Sequence, residues 1–480
     1  MKPKILLVIS VISTLIFAVA VALNLSPYLR GPAPYFPDWQ WQYDFVNTYP
    51  KMWLPVVITI LLLFIFYKFE KKGKRWIEKN EKKIFSLFVF LGYIFQLSLM
   101  YANRAGINGL ISRIVSPDVN GYFSTSIQIY SVSDFLKNYN NSVLSFFMHA
   151  QGHPPFAILF FYFINKFFLL VPFLSAITVG LSPKSYLIHL IWISLAANEQ
   201  AGAVFSAFLI PFLVSLTSIL VYLVAKRLYG AEISMRSLVA YLFIPSVLLF
   251  IPINDAFLSI FPLFSLLLMI KSIDNNSNKL MLLSGFVFSI GVFFSISIAP
   301  LIIIFVFLFF SINKKVGLEI TKKIIGFLLG FLLIPMVLWI AFNFNSFYML
   351  QILMKGLPEQ RHYSTWVLYN LYDFFIFAGI PLFIVFISMF VEQFKNILTK
   401  SWKRVDKLFV SFILMLMLVN FSGSVRGEVA RIWLPFIPFY IIPLIGLLTR
   451  KKFTSLQFVF FLSIQLLIVL TLNEYWVTFW

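Results

Sequence analysis

Uninterrupted apolar runs of 18 residues or more recur from one end of this chain to the other, and no other feature limits its fold so severely. "ILLVISVISTLIFAVAVALNL" (5–25) and "IIGFLLGFLLIPMVLWIAF" (324–342) are two of them. A helix of that length crosses the roughly 30 Å of bilayer hydrocarbon. In lipid every backbone N–H and C=O must be satisfied internally, which leaves helices and closed barrels. Continuous apolarity without period-2 alternation selects helices. The sequence therefore predicts an all-α polytopic membrane protein with about 13–15 transmembrane helices.

The spans are expected at 5–25, 52–68, 84–102, 155–180, 186–199, 201–225, 237–253, 256–271, 280–298, 300–313, 324–343, 374–394, 408–421, 433–449 and 455–473. Hydrophobic residues make up 60% of the chain and charged residues 12%, and no polar interval is long enough for a separate soluble domain. One integral membrane domain, 1–480, is the expectation. Cysteine is absent, which removes disulfides and thiolate chemistry.

A net charge of +20 would point a soluble protein toward nucleic acid. Here the positions of the basic residues report topology instead, so membrane lipids and not nucleic acid are the expected surroundings. Alternating the spans from a cytoplasmic N-terminus places "KFEKKGKRWIEKNEKK" (68–83), "KNILTKSWKRVDK" (395–407) and "RKK" (450–452) in the cytoplasm, as the positive-inside rule requires. The first apolar run exceeds the roughly 7–15 residues of a signal-peptide core and is expected to be retained as a helix. The segments outside are then 26–51, 103–154, a short turn at 253–256, 344–373, 422–432 and the tail 474–480. The Trp/Tyr-rich stretch 35–53 suits the headgroup layer.

The unusual polar residues collect in these outer loops. Loop 103–154 is too long for a connector, and its apolar spacing at 118–130 and 133–148 predicts helices lying along the interface. Asp118, in "SPDVNGY", reads either as the cap of a helix starting near Val119 or as a carboxylate placed to take a proton from an acceptor hydroxyl. "HAQGHPPF" (149–156) holds two of the four histidines. Its prolines open a helix into the membrane, and the helix N-terminus together with His153 suits a phosphate.

In "SGSVRGEVARIWLPF" (422–436), Glu428 and Arg431 are three apart and share a helix face. Two arginines, Arg426 and Arg431, with one acid leave a positive excess that fits a lipid phosphate. Asp255 in "PINDAF" and Asp373 in "NLYDFF" stand at the starts of spans, either as N-caps or as ligands of substrate hydroxyls. The stretch "KGLPEQRHYSTW" (355–366) adds Glu359, Arg361 and His362, with plain solvation as the simpler account. No carboxylate cluster suited to a hard cation is evident, and no metal or cofactor is expected. No P-loop or dinucleotide fingerprint occurs.

The Asp-x-x-x-Tyr element (Asp118, Tyr122), the His-Pro-Pro at 153–155 opening a membrane helix, and the basic late outer loop together resemble the GT-C superfamily of integral-membrane glycosyltransferases, mannosyltransferase-like in type. The hydropathy layout of the whole chain fits this resemblance, while its motifs lie in 113–160 and 422–436. It implies a polyprenyl-phosphate-linked sugar as donor and a glycan, lipid or protein hydroxyl as acceptor. Transfer would invert the anomeric carbon on the extracytoplasmic side of the cell membrane. By that analogy Asp118 is the catalytic base, His153, Arg426 and Arg431 hold the donor phosphate, and Tyr122, Glu428, Asp255 and Asp373 line the substrate.

Two positions depart from the family pattern. Val119 stands where many relatives carry a second acid, which argues against a metal-dependent subgroup, and Phe156 stands where glycine often follows His-Pro-Pro. The rival classes are a transporter or flippase, which would gather polar residues at mid-membrane on interrupted helices, and a polymerase or ligase of lipid-linked glycans.

Overall fold

A computed structural model describes residues 2–33, 38–147, 149–182, 195–313, 317–355 and 361–478. The expected span 186–199 lies largely outside these residues, and Glu359 lies wholly outside them. The described chain is helical almost throughout, and its one sheet pairs Gln42–Tyr43 antiparallel with Trp476–Val477.

Among the described residues eight helices are long and apolar enough to cross a membrane, including Pro3–Ala22, Glu81–Ala102, Ala197–Tyr229 and Leu318–Phe342. Four shorter apolar helices, Asn278–Phe294, Ile296–Ile312, Lys407–Ser422 and Leu434–Arg450, pack among them. Two expected spans are broken. The first, 155–180, becomes Phe156–Leu170 and Pro172–Gly180, bent by 106°, because Pro172 lacks the N–H that would continue the first helix and starts the second. The second, 237–253, is a buried helix Ala231–Tyr241, a turn, and a short helix Pro245–Leu249, again begun by a proline.

Charge divides the bundle into two ends. At one end Lys226 pairs with Glu81 at 2.6 Å, Arg450 with Asp406 at 3.3 Å, Lys451 with Glu392 at 2.9 Å, and the buried Arg236 with the buried Glu70. These contacts join seven helices near their charged ends. The opposite ends of Trp53–Lys71, Glu81–Ala102, Lys407–Ser422 and Ile437–Arg450 run into segments 38–52, 103–154 and 422–436, where most of the candidate site residues lie.

The 38–53 stretch does more than coat an interface. Trp41 is 3% exposed and packs at a tilt against Phe250 and Phe377, while Trp39 stacks on Trp366 with ring centroids 5.7 Å apart. Tyr49 and Trp53 stay exposed, in keeping with a headgroup belt.

Candidate active site

The site grows from how loop 103–154 is tied down. The helix Asn108–Val115 buries Arg113, whose guanidinium donates to the carbonyls of Leu249 (3.0 Å) and Ile251 (2.5 Å). The loop is thereby fixed to the strand of chain that leads to Asp255. Residues 117–120 then form a turn in which Ser116 carries the bonds: its carbonyl accepts from Asn120 N at 3.1 Å and its hydroxyl from Val119 N at 3.4 Å.

Asp118 sits exposed on the crest of that turn. No helix begins at Val119. The next one, Tyr122–Ser126, starts after Gly121 at φ +68, a left-handed position that glycine fills without a Cβ penalty, so the expected cap at Asp118 is not formed. The second interfacial helix is present as Val132–Ser142, capped by Ser131.

His153 has the extended conformation that a following proline imposes (φ −125, ψ 148), and the membrane helix begins at Phe156, as the His-Pro-Pro reading requires. Its position is held on both sides. The Tyr139 hydroxyl donates to the His153 carbonyl, and the buried Tyr122 ring meets the imidazole edge-on with centroids 5.0 Å apart.

From the other side the 422–436 loop is clamped by the helix Tyr363–Ala378. Asn370 donates to the Val425 carbonyl and accepts from Gly427 N, each at 2.9 Å. Asp373 accepts from Ala430 N at 3.1 Å and from the indole N–H of Trp41 at 2.8 Å. Asp373 therefore lies inside its own helix instead of capping it, and serves the first turn of the short helix Val429–Ile432. Gly427, at φ +88, lies where a Cβ would fall 2.7 Å from the Trp39 indole nitrogen. Glu428 follows at φ +59, an uncommon state for a residue with a side chain.

That backbone aims Glu428 between two arginines. Its carboxylate takes Arg431 Nη2 at 2.8 Å, the expected i,i+3 pair, and Arg361 Nη2 at 2.9 Å. Arg431 is 7% exposed. It also places Nη2 at 3.3 Å from His149 Nδ1 and Nε at 3.9 Å from Asp255 Oδ2, and Nε itself has no hydrogen bond. Asp255 caps no long helix either: it lies in the 3-10 turn Asn254–Ala256, buried, ahead of the helix Ile260–Asp274.

His149, His153, Tyr122, Asp255, Glu428 and Arg431 thus converge at one end of the bundle. Asp118 stands at their edge, with its backbone against the His149 ring. Arg426 is turned away, donating to the Arg361 carbonyl at 2.6 Å and lying over the Tyr363 ring. Arg361, not singled out for the phosphate, is the arginine that joins Arg431 at Glu428, and Asp255 adds a second acid near Arg431. His149 and Trp41 are the members that sequence reasoning passed over. For His149 the only signal was its closeness to His153.

Electrostatics follow from burial. Burial, and then the Arg431 charge, pushes His149 down to about 3. Burial likewise lowers His153, with Asp255 opposing and Arg431 assisting. Burial acts to raise Glu428, but Arg431 and Arg361 outweigh it and hold the carboxyl well below its ordinary value. Both imidazoles are therefore neutral at physiological pH, each offering one N–H donor and one acceptor. Among the described residues no group of three or more His, Asp or Glu side chains is arranged to hold a metal ion.

A polytopic helical membrane protein with a buried His/Arg/carboxylate cluster at one end of its bundle is the class that fold and site define. Residues 183–339, about a third of the chain, match the family model described as dolichyl-phosphate-mannose-protein mannosyltransferase, a family of the GT-C superfamily. The matched segment contains Asp255 but not Asp118, His153 or Arg431. No curated protein and no solved structure matches. At the level of the family, the match supports a mannosyltransferase-like membrane enzyme that transfers a glycosyl group from a polyprenyl-phosphate sugar.

Proposed function

We propose that the chain, acting as a single domain, transfers one sugar from a polyprenyl-phosphate donor to an acceptor hydroxyl on the extracytoplasmic face of the cell membrane, with inversion at the anomeric carbon. The observation that carries this reading is the convergence of His149, His153, Asp255 and Arg431 at one end of the bundle, beside the exposed carboxylate of Asp118. The segregation of basic helix ends to the opposite face supports the sidedness.

In this mechanism the donor's lipid tail lies between helices and its phosphate at the cluster. Asp118 takes the proton from the acceptor hydroxyl, whose oxygen bonds to the anomeric carbon. The bond from that carbon to the phosphate oxygen breaks, and polyprenyl phosphate leaves with the electron pair. The His153 N–H and the Arg431 guanidinium stabilise the charge that gathers on it. Arg426 braces the Arg361 backbone, and Tyr122 and Asp373 hold His153 and the 429–432 turn in place. No metal is required, because the lipid phosphate is already an activated leaving group.

The polar groups of the candidate site gather at one end of the bundle, which favours this reading over a transporter. Purified protein incubated with a panel of polyprenyl-phosphate sugars and hydroxyl acceptors, read by mass spectrometry, tests it. Release of polyprenyl phosphate with a glycosylated product is expected. Failure of every donor in the panel would overturn the reading. Cysteines introduced singly near Asp118 and Glu428 should be labelled from outside intact cells, and labelling only after permeabilisation would reverse the sidedness.

A further inference from the structure

A cavity of about 330 Å³ opens on loop 103–154, between the end of the Tyr122–Ser126 helix and one face of the Val132–Ser142 helix. Asp134, Asn138 and Ser142 recur every four residues, so they form one stripe along that face. Gln128 faces them across the opening, Tyr130 stands at its edge with 98% of its surface exposed, and the stacked rings of Phe135 and Phe146 line it.

The helix is held firmly. Its opposite stripe, Leu136, Tyr139 and Val143, is buried, and Asn140 donates to the Asn345 carbonyl at 3.1 Å. The Asp134 carboxylate and the Gln128 amide make no hydrogen bond with other described residues, and among the described residues no lysine or arginine lines the cavity.

This lining selects a ligand class. An anion would meet Asp134 without a compensating cation, and an acyl chain would leave the Asp134 carboxylate and the Gln128 amide unpaired, Asn138 Nδ2 already donating to the Asp134 carbonyl at 3.0 Å. A sugar ring answers both parts: adjacent hydroxyls donate to the carboxylate and exchange hydrogen bonds with planar amides, while the C–H face packs on an aromatic ring. The volume falls at the small end of ligand sites, which run from roughly 300 to 1,000 Å³.

The cavity adjoins the reaction centre on both walls. Thr125, on one wall, is three residues from Tyr122. On the other wall Phe135 and Phe146 pack against Tyr139, with centroids 5.4 and 5.6 Å apart, and the Tyr139 hydroxyl holds the His153 carbonyl.

We infer that this cavity seats the acceptor, and that the acceptor is a neutral oligosaccharide whose reacting end extends from it toward Asp118. The inference rests on the glycosyltransferase reading and names its acceptor class.

Saturation-transfer NMR on the full-length protein in detergent, without donor, against a panel of neutral mannose-, glucose- and galactose-based oligosaccharides tests binding directly. At least one saccharide should receive magnetisation on its ring protons. Asp134→Ala, Gln128→Ala and Tyr130→Ala should each weaken binding about tenfold, the equivalent of one hydrogen bond or stacking contact. Their thermal midpoints should match the parent's, since all three side chains are exposed. In the transfer assay the same variants should raise the acceptor KM and leave the donor KM unchanged.

Two results would overturn the inference: no saccharide of the panel contacting the protein, or binding that survives all three substitutions. A peptide or lipid acceptor whose KM ignores these substitutions would do the same. Failure of the glycosyltransferase reading looks different, because a saccharide would then bind through Asp134 while no lipid-linked sugar is consumed.

Discussion

Replacing Arg431 with methionine tests the energetics of the cluster. Methionine keeps much of the aliphatic volume and removes the charge. Glu428 would retain Arg361 at 2.9 Å, but Asp255, buried and served by Arg431 at 3.9 Å, would lose its cation. His149 would lose its contact with Nη2. Breaking a buried pair by removing one partner typically costs about 3–5 kcal/mol, because the remaining charge is left uncompensated. Most of that cost should then come from Asp255, since Glu428 is held twice. Adding Asp255→Asn to Arg431→Met should accordingly recover about 1–3 kcal/mol, the size of one unsatisfied buried polar group. Thermal unfolding in detergent, followed by tryptophan fluorescence for the parent, both single variants and the double variant, closes the cycle. Arg431→Met melting with the parent, or Asp255→Asn adding to the damage instead of relieving it, would refute the reasoning.

Three further outcomes follow from the geometry. Stability should fall on acidification from neutral pH, because the unfolded chain protonates its histidines near 6.5 while His149 resists to about 3 in the fold. The unfolded state thus binds more protons across that window, and His149→Gln should flatten the dependence of the thermal midpoint on pH; an unchanged slope would contradict the burial of His149. Trp41→Phe keeps an aromatic ring but removes the indole N–H that serves Asp373, along with some buried volume, and should cost at least about 1–3 kcal/mol by the same thermal assay. Glu428→Gln should weaken transfer, because Arg431 loses the partner that orients it at 2.8 Å; activity equal to the parent's would remove that positioning role.

The spans were legible because burial in lipid demands long apolar runs and little else. What the runs do not announce is where they break. Pro172 and Pro245 each interrupt a run that reads as continuous, and Pro335 lies within the helix Leu318–Phe342 without ending it, so a proline alone does not mark a boundary. Site residues with a local signature were equally readable: His153 through its prolines, and Glu428 with Arg431 through their spacing. Partners brought in from far along the chain were not. Nothing near Asp373 indicates that Trp41 and Ala430 take its two oxygens, and Asp255 looks like a cap until the 103–154 and 422–436 loops close over it. That Arg361 reaches Glu428 was hidden for the same reason, since which arginine does so depends on how two distant loops interlock.

The central claim is that Asp118 acts as the base in transfer from a polyprenyl-phosphate sugar. Its carboxylate is exposed and supports no helix, so Asp118→Asn should leave the thermal midpoint within the roughly 0.5 kcal/mol expected of a surface change. The most direct measurement is the rate of sugar transfer by Asp118→Asn beside the parent enzyme, with the same donor, acceptor and protein quantity. A fall of about 10²–10⁴-fold at unchanged donor KM is the predicted result. A fully active Asp118→Asn enzyme would contradict the account.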